Sequence, residues 1–390
     1  MNGQNKDIPV CKAAKKCGAC QLSNMDYARQ LKFKQANEVK LLKRFGRVSV
    51  IIGMDYPYSY RNKSQYLVKK SSSGNISTGV YQSTTQSLVV TDNCFINNKK
   101  SNQIVKYIRT VMTQLNIQPY NPKNGKGCVR HIMIRNGHKT GEYMVAMVCF
   151  NDALERESEF VSRICEKYPE IETVVLNVNK NEKMMLGSKE RVLFGKGYIE
   201  DILCGKRFRI SPRSFYQINP VQTEALYNTA IEFAGLSGGE TILDAYCGIG
   251  TIGIAASDKA LKTVGVELNE EAVKDAKVNA ELNGLKNAFY YKADAAEFMS
   301  EAECSGEKFD VVFTDPPRAG CSRIFLSSLV KLSPPKIVYV SCEPKTLARD
   351  LYYLIHNGYK VRKIQPVDMF PHTHHVETVV LLSQNTKDPV

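Results

Sequence analysis

The stretch Thr241-Ile242-Leu243-Asp244-Ala245-Tyr246-Cys247-Gly248-Ile249-Gly250-Thr251-Ile252-Gly253 joins a short apolar run to a glycine-containing turn and the start of a helical pattern. Such a run is typical of a buried parallel strand, and glycines directly after it let a nucleotide-like ligand approach the backbone. Sites for NAD, FAD and S-adenosylmethionine share this pattern. The stretch therefore predicts an open α/β sheet with a nucleotide-type site and leaves the ligand open.

The runs that follow end in residues suited to binding or chemistry. Asp244 ends the first run, Glu267 the second and Asp294 the third, where they suit the amino-acid part, the ribose diol and the adenine amino group of a ligand. A fourth run ends in Asp315-Pro316-Pro317-Arg318, and a fifth, Val338 to Ser341, is followed by Cys342. Because ligands gather at the carboxyl ends of parallel strands, we expect these side chains to meet. Two more strands are predicted over 361–367 and 376–382.

Length and composition predict a cytoplasmic chain of two or three domains. The chain has 390 residues, of which 43% are hydrophobic, and it contains 12 cysteines. No run of 18 apolar residues occurs and the first residues lack the apolar stretch of a signal peptide, so we expect no membrane partner and assume a monomer. In a reducing compartment, cysteine clusters indicate metal binding or catalysis rather than disulfides. The pattern changes near 212, which predicts domains over 1–212 and 213–390.

The N-terminal third is basic and indicates a polyanionic partner. Of the formal charge of +14, residues 1–70 supply most, with 15 Lys/Arg against 4 Asp/Glu, a difference of +11. The segment Tyr56-Pro57-Tyr58-Ser59-Tyr60-Arg61-Asn62-Lys63 interleaves aromatic and basic residues, which suits stacking and phosphate contacts with single-stranded RNA. A solvated basic face and an ordinary edge strand are the alternatives.

Three cysteines near the N-terminus predict a metal centre. Cys11, Cys17 and Cys20 lie within ten residues, and Cys94 is the best fourth ligand. The spacing favours a 4Fe-4S cluster, with zinc as the second choice and unliganded thiols as the alternative.

The rest of the N-terminal half predicts mixed secondary structure. Apolar residues recur at helical intervals over 23–47, with lysines and arginines between them, which predicts an amphipathic helix. Alternation predicts strands over 129–134, 143–150 and 173–178, with helices near 102–115 and 152–167. We expect an antiparallel or mixed sheet in this part of the chain.

Taken together, the motifs resemble those of the uracil-5 RNA methyltransferases that use S-adenosylmethionine, the RumA/RlmD and TrmA group. The resemblance covers nearly the whole chain. It is carried by the four cysteines, Ser214-Phe215-Tyr216-Gln217-Ile218-Asn219, Asp244 to Gly250, Asp315-Pro316-Pro317-Arg318, Ser341-Cys342-Glu343-Pro344 and His374-His375-Val376-Glu377. Larger relatives begin with a small β-barrel (TRAM) domain, which we expect this chain to lack.

The resemblance implies a fold, a cofactor and a set of roles. It implies a C-terminal Rossmann-like class I methyltransferase domain with a seven-stranded mixed sheet, and an N-terminal and central α+β domain that carries an iron-sulfur cluster. It implies that helix 24–45 packs on the catalytic domain. The implied S-adenosylmethionine site comprises Gln217, Tyr246, Thr251, Glu267, Asp294 and Asp315. Cys342 is the implied nucleophile, Glu377 the general base and Asp315 a residue that positions uracil and cofactor; Cys11, Cys17, Cys20 and Cys94 hold the 4Fe-4S cluster.

Uracil chemistry requires these residue types. Uracil C5 is a poor nucleophile until a thiolate adds to C6, and a carboxylate must then remove the C5 proton. We expect the product to be 5-methyluridine in RNA, with 23S rRNA as the target because many tRNA-specific relatives lack the cluster. The alternatives are a tRNA uracil-5 methyltransferase, an RNA cytosine-5 methyltransferase, a nicotinamide oxidoreductase and a non-catalytic RNA-binding iron-sulfur protein.

Overall fold

A computed structural model describes residues 11–71, 73–82, 85, 87–181 and 184–385. The first ten residues, on which the expectation about a signal peptide rests, lie outside this part. The chain forms two compact units. The first contains the chain up to Asp26, Tyr56–Asp201 and Ile210–Arg213, and the second contains Tyr27–Asp55, Ile202–Arg209 and the chain from Ser214. The units thus interleave along the sequence, whereas the predicted boundary at 212/213 divides it once.

The helices and strands of the described residues are numbered in chain order. The helices are α1 (Ala14–Cys17), α2 (Tyr27–Leu42), α3 (Lys99–Gln114), α4 (Glu157–Lys167), α5 (Pro220–Ala234), α6 (Thr251–Ala256), α7 (Glu270–Leu282), α8 (Ala295–Ser305), α9 (Arg323–Leu332) and α10 (Pro344–His356). The strands are β1 (Lys63–Lys70), β2 (Ile76–Tyr81), β3 (Leu88–Val90), β4 (Val129–Asn136), β5 (Tyr143–Cys149), β6 (Ile171–Val178), β7 (Lys189–Gly195), β8 (Ile199–Leu203), β9 (Lys206–Ile210), β10 (Thr241–Ala245), β11 (Lys262–Glu267), β12 (Ala288–Lys292), β13 (Val311–Thr314), β14 (Lys336–Ser341), β15 (Tyr359–Val367) and β16 (Glu377–Gln384).

The first unit is built on a mixed sheet of seven strands in the order β3-β2-β1-β4-β5-β6-β7. Only β5 and β6 among these neighbours run parallel, because α4 connects them and returns the chain to the same end. Apolar side chains of α3 and α4, including Ile108 and Phe160, form a core with Ile132, Val145 and Val174 of the strands. The strands predicted over 129–134, 143–150 and 173–178 are confirmed.

The second unit contains a seven-stranded sheet in the order β12-β11-β10-β13-β14-β16-β15. The first five strands of this order are parallel, and β16 runs antiparallel to both neighbours. Fully buried residues such as Leu243, Val312 and Tyr339 form its core. This sheet confirms the predicted Rossmann-like α/β fold, with the ends of β10 to β14 at one edge.

The predicted helix near the N-terminus is confirmed as α2, but it does not bury the predicted apolar series. Its buried residues are Gln30, Lys34, Glu38 and Leu42, whereas Phe33 is 37% exposed. The apolar pattern failed as a guide over most of α2 because the buried Gln30, Lys34 and Glu38 meet polar groups of the second unit, whereas Leu42 joins its apolar core. No helix of the described residues has the length and apolar character needed to cross a bilayer.

Candidate active site

The turn between β10 and α6 lies with its backbone close to the edge of the sheet. Gly250 lies in the left-handed region with φ of 82°, where it caps α6. At Gly265 of β11, an added Cβ would lie 2.3 Å from a ring carbon of Tyr290. The buried Asp244 carboxylate accepts a hydrogen bond from the Gly253 N–H at 2.8 Å, and burial raises its pKa to about 7. Asp244 therefore holds the start of α6 against the end of β10 from the buried side of the turn.

The ends of five parallel strands surround one cavity of about 640 Å³, a size typical of sites for small ligands. Of the residues predicted to contact ligand in the second unit, Asp244 and Thr251 do not line it, whereas the following do: Gln217, Tyr246, Glu267, Asp294, Asp315, Cys342 and Glu377. Thr251 instead exchanges a hydrogen bond of 3.0 Å with the hydroxyl of Tyr227. The cavity thus brings together groups separated by up to 160 positions in the sequence.

One part of the cavity has the chemistry of a nucleoside site. Glu267 accepts hydrogen bonds from the backbone N–H of Gly248 at 3.2 Å and of Asn269 at 2.8 Å, so its carboxylate is held at the end of β11. Asp294 is held at the end of β12 by accepting from the Ala296 N–H at 2.8 Å. Oriented carboxylates can accept from a ribose diol and an exocyclic amine, and the apolar side chains of Ile249 and Leu268 add walls for a base. These residues fit S-adenosylmethionine.

The other part of the cavity holds a thiol and two carboxyl groups. Cys342 follows the last residue of β14, where burial, with a smaller contribution from Glu377 and Asp315, raises its pKa to about 11 against the opposing effect of Arg318. Burial also raises the pKa of Asp315 to about 7. The thiol is therefore protonated at neutral pH unless a neighbouring base takes its proton.

Glu377 reaches this edge because β16 is antiparallel. Thr378 pairs with Ser341 at the end of β14, so the first residue of β16 lies beside Cys342. Glu377 is 3% exposed and its Oε2 has no hydrogen-bond partner among the described residues. Burial raises its pKa well above the ordinary value, Asp315 raises it further, and Arg318 opposes the shift. An unsatisfied buried oxygen that faces a cavity is suited to accept a proton from a ligand.

Sequence reasoning gave no individual role to three residues that line the cavity, Phe215, Arg318 and Phe370. Arg318 is exposed and acts on the pKa of both Cys342 and Glu377. Phe215 is 69% exposed although it is apolar, which suits it to stack on an unpaired base. Their places in the motifs Pro-Pro-Arg and Ser-Phe-Tyr-Gln were visible, but their orientation toward the cavity was not.

The four predicted cluster ligands line a second cavity, within the first unit. Cys11, Cys17, Cys20 and Cys94 are half-buried around a volume of about 380 Å³. Burial, with a smaller contribution from the other three thiols, raises the pKa of Cys20 to about 12. Within the described residues no group of three or more His, Cys, Asp or Glu is placed to hold a single metal ion. The four thiols therefore line one cavity, but among the described residues they do not form a metal-binding group.

The aromatic and basic segment 56–63 is only partly available to a ligand. Tyr56 is 52% exposed, but Tyr60 is buried, and Tyr58 packs edge-on against Tyr56 and Phe95 with centroid distances of 5.3 and 5.6 Å. Burial lowers the pKa of Lys63 to about 7. Tyr56 is thus the tyrosine of this segment best exposed for stacking.

Comparison with known proteins identifies close relatives over nearly the whole chain. The family described as tRNA (Uracil-5-)-methyltransferase matches residues 26–385. An uncharacterised RNA methyltransferase of Caldanaerobacter subterraneus is 42% identical over 98% of this chain and 85% of its own length. An uncharacterised RNA methyltransferase of Clostridium acetobutylicum is 41% identical over the same shares.

A solved structure shares the fold. The tRNA (uracil-54, C5)-methyltransferase of Pyrococcus abyssi, crystallised with S-adenosyl-L-homocysteine, is 30% identical and superposes with a TM-score of 0.80. The alignment covers 96% of this chain and 87% of the other. At this identity and coverage the similarity extends beyond the fold class.

Proposed function

The chain belongs to the tRNA (uracil-5-)-methyltransferase family of S-adenosylmethionine-dependent RNA methyltransferases, and we propose that it converts uridine to 5-methyluridine in 23S rRNA through a covalent adduct with Cys342. The observation that carries the proposed chemistry is the meeting of Cys342, Asp315 and Glu377 in the cavity that also contains the nucleoside-type carboxylates.

Cys342 is the nucleophile of this proposal. Its Sγ adds to uracil C6, its thiol proton passes to a neighbouring carboxylate, and the electron pair of the C5–C6 double bond moves into the ring as an enolate. S-adenosylmethionine, when bound, supplies the electrophilic methyl group that C5 takes. Arg318 favours the thiolate, since it lowers the pKa of Cys342. Because the pKa of Cys342 is raised, the addition requires a nearby base that takes the thiol proton.

Glu377 removes the C5 proton after methylation. The electron pair of the C5–H bond then restores the C5–C6 double bond, and the bond between C6 and Cys342 breaks with return of its electrons to sulfur. A raised pKa makes the ionised Glu377 a stronger base than an exposed carboxylate. The sulfur then takes back the proton that the thiol gave up, so each cycle regenerates the thiol and leaves one proton, the one from C5, on Glu377 for release.

Asp315 lies where both ligands would meet. In this proposal it orients the uracil ring and accepts a hydrogen bond from its N3–H, which cytosine lacks. The prolines that follow restrict the backbone of this loop, and Thr314 before it is fully buried. We further propose that a base turned out of folded RNA stacks on the exposed Phe215 at the mouth of the cavity.

Cys11, Cys17, Cys20 and Cys94 would hold a 4Fe-4S cluster. Four thiols around one cavity match the ligand set of such a cluster. We favour the cluster over a single zinc ion because Cys11, Cys17 and Cys20 lie within ten residues, at a sequence spacing typical of iron-sulfur sites. The role of the cluster would be structural, because the proposed reaction transfers no electrons.

The rRNA target rests on this cluster, which many tRNA-specific members of the family lack. A tRNA target is the second candidate. It is favoured by the Pyrococcus abyssi relative, which is described as a tRNA (uracil-54, C5)-methyltransferase.

Transfer of labelled methyl from S-adenosylmethionine to unmodified 23S rRNA, and separately to unmodified tRNA, tests reaction and target together. Digestion to nucleosides should place the label in 5-methyluridine from rRNA. The same nucleoside from tRNA alone would keep the chemistry and refute the target. Label in 5-methylcytidine, or none from either RNA, would refute the proposed reaction.

A further inference from the structure

A row of polar side chains on α2 is buried in the second unit. Gln30, Lys34 and Glu38 recur every four residues, so they share one face of the helix, and each is at most 1% exposed. Side chains of these types are rarely buried so completely unless they are paired. All three side chains hydrogen-bond residues 368–378, here called the base segment, which joins β15 to β16 and carries Phe370 and Glu377 of the cavity.

Lys34 is the centre of this row. Its Nζ donates to Asp368 Oδ1 at 2.5 Å, to the Phe370 carbonyl at 3.0 Å and to the His375 carbonyl at 3.0 Å. An ammonium group has three donors, so all of them are used on the base segment. Tyr27, on the same helix, donates to the other oxygen of Asp368 at 2.8 Å. The side chain of Lys34 thus holds the base segment at three points on the way to Glu377.

Gln30 and Glu38 hold the segment on either side of these points. Gln30 Oε1 accepts from the His372 N–H at 2.9 Å, and its Nε2 lies 3.1 Å from His372 Nδ1. His372 has a φ of 70°, a left-handed conformation that a residue with a side chain rarely adopts. Glu38 accepts from the hydroxyl of Thr378, the residue after Glu377, at 2.8 Å.

A polar contact of this kind is a poor way to gain stability alone. Burying an ion pair costs desolvation energy, and an apolar contact of equal size often serves as well or better. What the polar contacts add is a single position of the base segment relative to α2, because each donor meets one acceptor. A general base needs a fixed position, since a misplacement of 1 Å can cost about 10²-fold in rate.

We propose that Lys34 is a positioning residue, assisted by Gln30 and Glu38, which holds the base segment so that Glu377 faces the C5 proton of the covalent adduct. This inference rests on the proposed function, because it concerns the step assigned to Glu377. It predicts that loss of the Lys34–Asp368 pair slows release of the product more than formation of the adduct.

The test compares Lys34→Met/Asp368→Asn with wild type and with Gln35→Ala. The double variant removes both charges, so no buried charge is left unpaired. Gln35 is also on α2, but it hydrogen-bonds the Ser49 carbonyl and the Ile51 N–H instead of the base segment. Each full-length protein is given S-adenosylmethionine with uridine-containing RNA or with RNA that carries 5-fluorouridine, from which no C5 proton can be removed.

We expect the double variant to form adduct on 5-fluorouridine RNA at the wild-type rate. On uridine RNA it should accumulate adduct and release 5-methyluridine on the order of 10²-fold more slowly, as Glu377→Gln would, whereas Gln35→Ala should resemble wild type. Equal slowing of adduct formation and release, or wild-type release, would overturn the inference alone. A wild-type protein that makes no 5-methyluridine from either 23S rRNA or tRNA would overturn the proposed function and this inference with it.

Discussion

Replacement of Glu38 by glutamine should change how the stability of the protein depends on pH. Glu38 is 1% exposed, and burial raises its pKa from 4.5 to about 7, against the hydrogen bond from Thr378 and with a further rise from Glu343. Glutamine keeps the carbonyl oxygen that can accept from Thr378 and has no charge to bury. The substitution therefore removes a titration while it preserves the contact.

The sign and size follow from the shifted pKa. A carboxyl group whose pKa is raised on folding stabilises the folded state fully below pH 4.5, and this contribution is lost as pH rises through about 7. With about 1.4 kcal/mol for each unit of pKa shift, wild type should lose roughly 2 to 3 kcal/mol between pH 5 and pH 8 through this group. The Glu38→Gln protein should not, so its free energy of unfolding should gain on wild type over the same interval.

The measurement is urea unfolding of both proteins between pH 5 and pH 8, followed by circular dichroism. Glu303→Gln, at an exposed position of α8, is the control, since its carboxyl group loses little hydration on folding. The difference between Glu38→Gln and wild type should widen with pH, and the difference for the control should stay constant. If the free energies of unfolding of Glu38→Gln and wild type differed by the same amount at pH 5 and pH 8, the reasoning that ionisation of Glu38 destabilises the folded state would be refuted.

Cys342→Ala should form no covalent RNA complex and no 5-methyluridine, whereas Glu377→Gln should accumulate the complex on denaturing gels; loss of the complex in both would remove Glu377 from the elimination step. Because the proposed addition needs an ionised carboxylate to take the thiol proton and burial raises the pKa of Asp315 to about 7, adduct formation on 5-fluorouridine RNA should quicken as pH rises toward about 7 and level off above it, whereas a rise of about tenfold per pH unit that continues to about pH 9 would show that no carboxylate takes this proton. Gly265→Ala places a Cβ 2.3 Å from a buried ring and should cost about 2 kcal/mol in the free energy of unfolding, in contrast to Gly239→Ala, whose Cβ meets nothing within 4 Å. Cys94→Ser should lower the iron content of anaerobically purified protein, and protein that carries zinc and no iron would contradict the cluster.

The fold and the composition of the cavity were accessible from local sequence patterns. Apolar runs followed by Asp244, Glu267, Asp294, Asp315 and Cys342 became the parallel strands β10 to β14. Strand ends are readable because a buried parallel strand is continuous in its apolar character and stops where polar chemistry begins. Since parallel strands share one edge, the order of the strands was not needed to predict that the last four of these side chains line one cavity, whereas Asp244 is buried beneath the turn.

The burial of α2 could not be read in the same way. A lysine among polar residues of a helix has the pattern of a solvent-exposed face. Lys34 is buried because it pairs with Asp368, which lies 334 positions away in the sequence. Thr251 is the converse case, since its motif predicts a ligand contact, whereas its hydroxyl bonds Tyr227. In both cases the outcome depends on a long-range partner, and spacing along the chain carries no information about that partner.

In the proposed reaction, the protonation state of the cavity links the addition of Cys342 to the removal of the C5 proton. Methyl transfer to C5 replaces a proton by a methyl cation, so each turnover must release one proton, although the thiol ends the cycle as it began. Burial raises the pKa of Cys342, Asp315 and Glu377 alike, so the resting cavity retains protons and presents little free thiolate to solvent. A cationic sulfonium bound nearby favours ionised carboxylates. The presence of the methyl donor would therefore prepare the bases that the thiol and the C5 proton need, which couples activation of Cys342 to occupancy of the cofactor site.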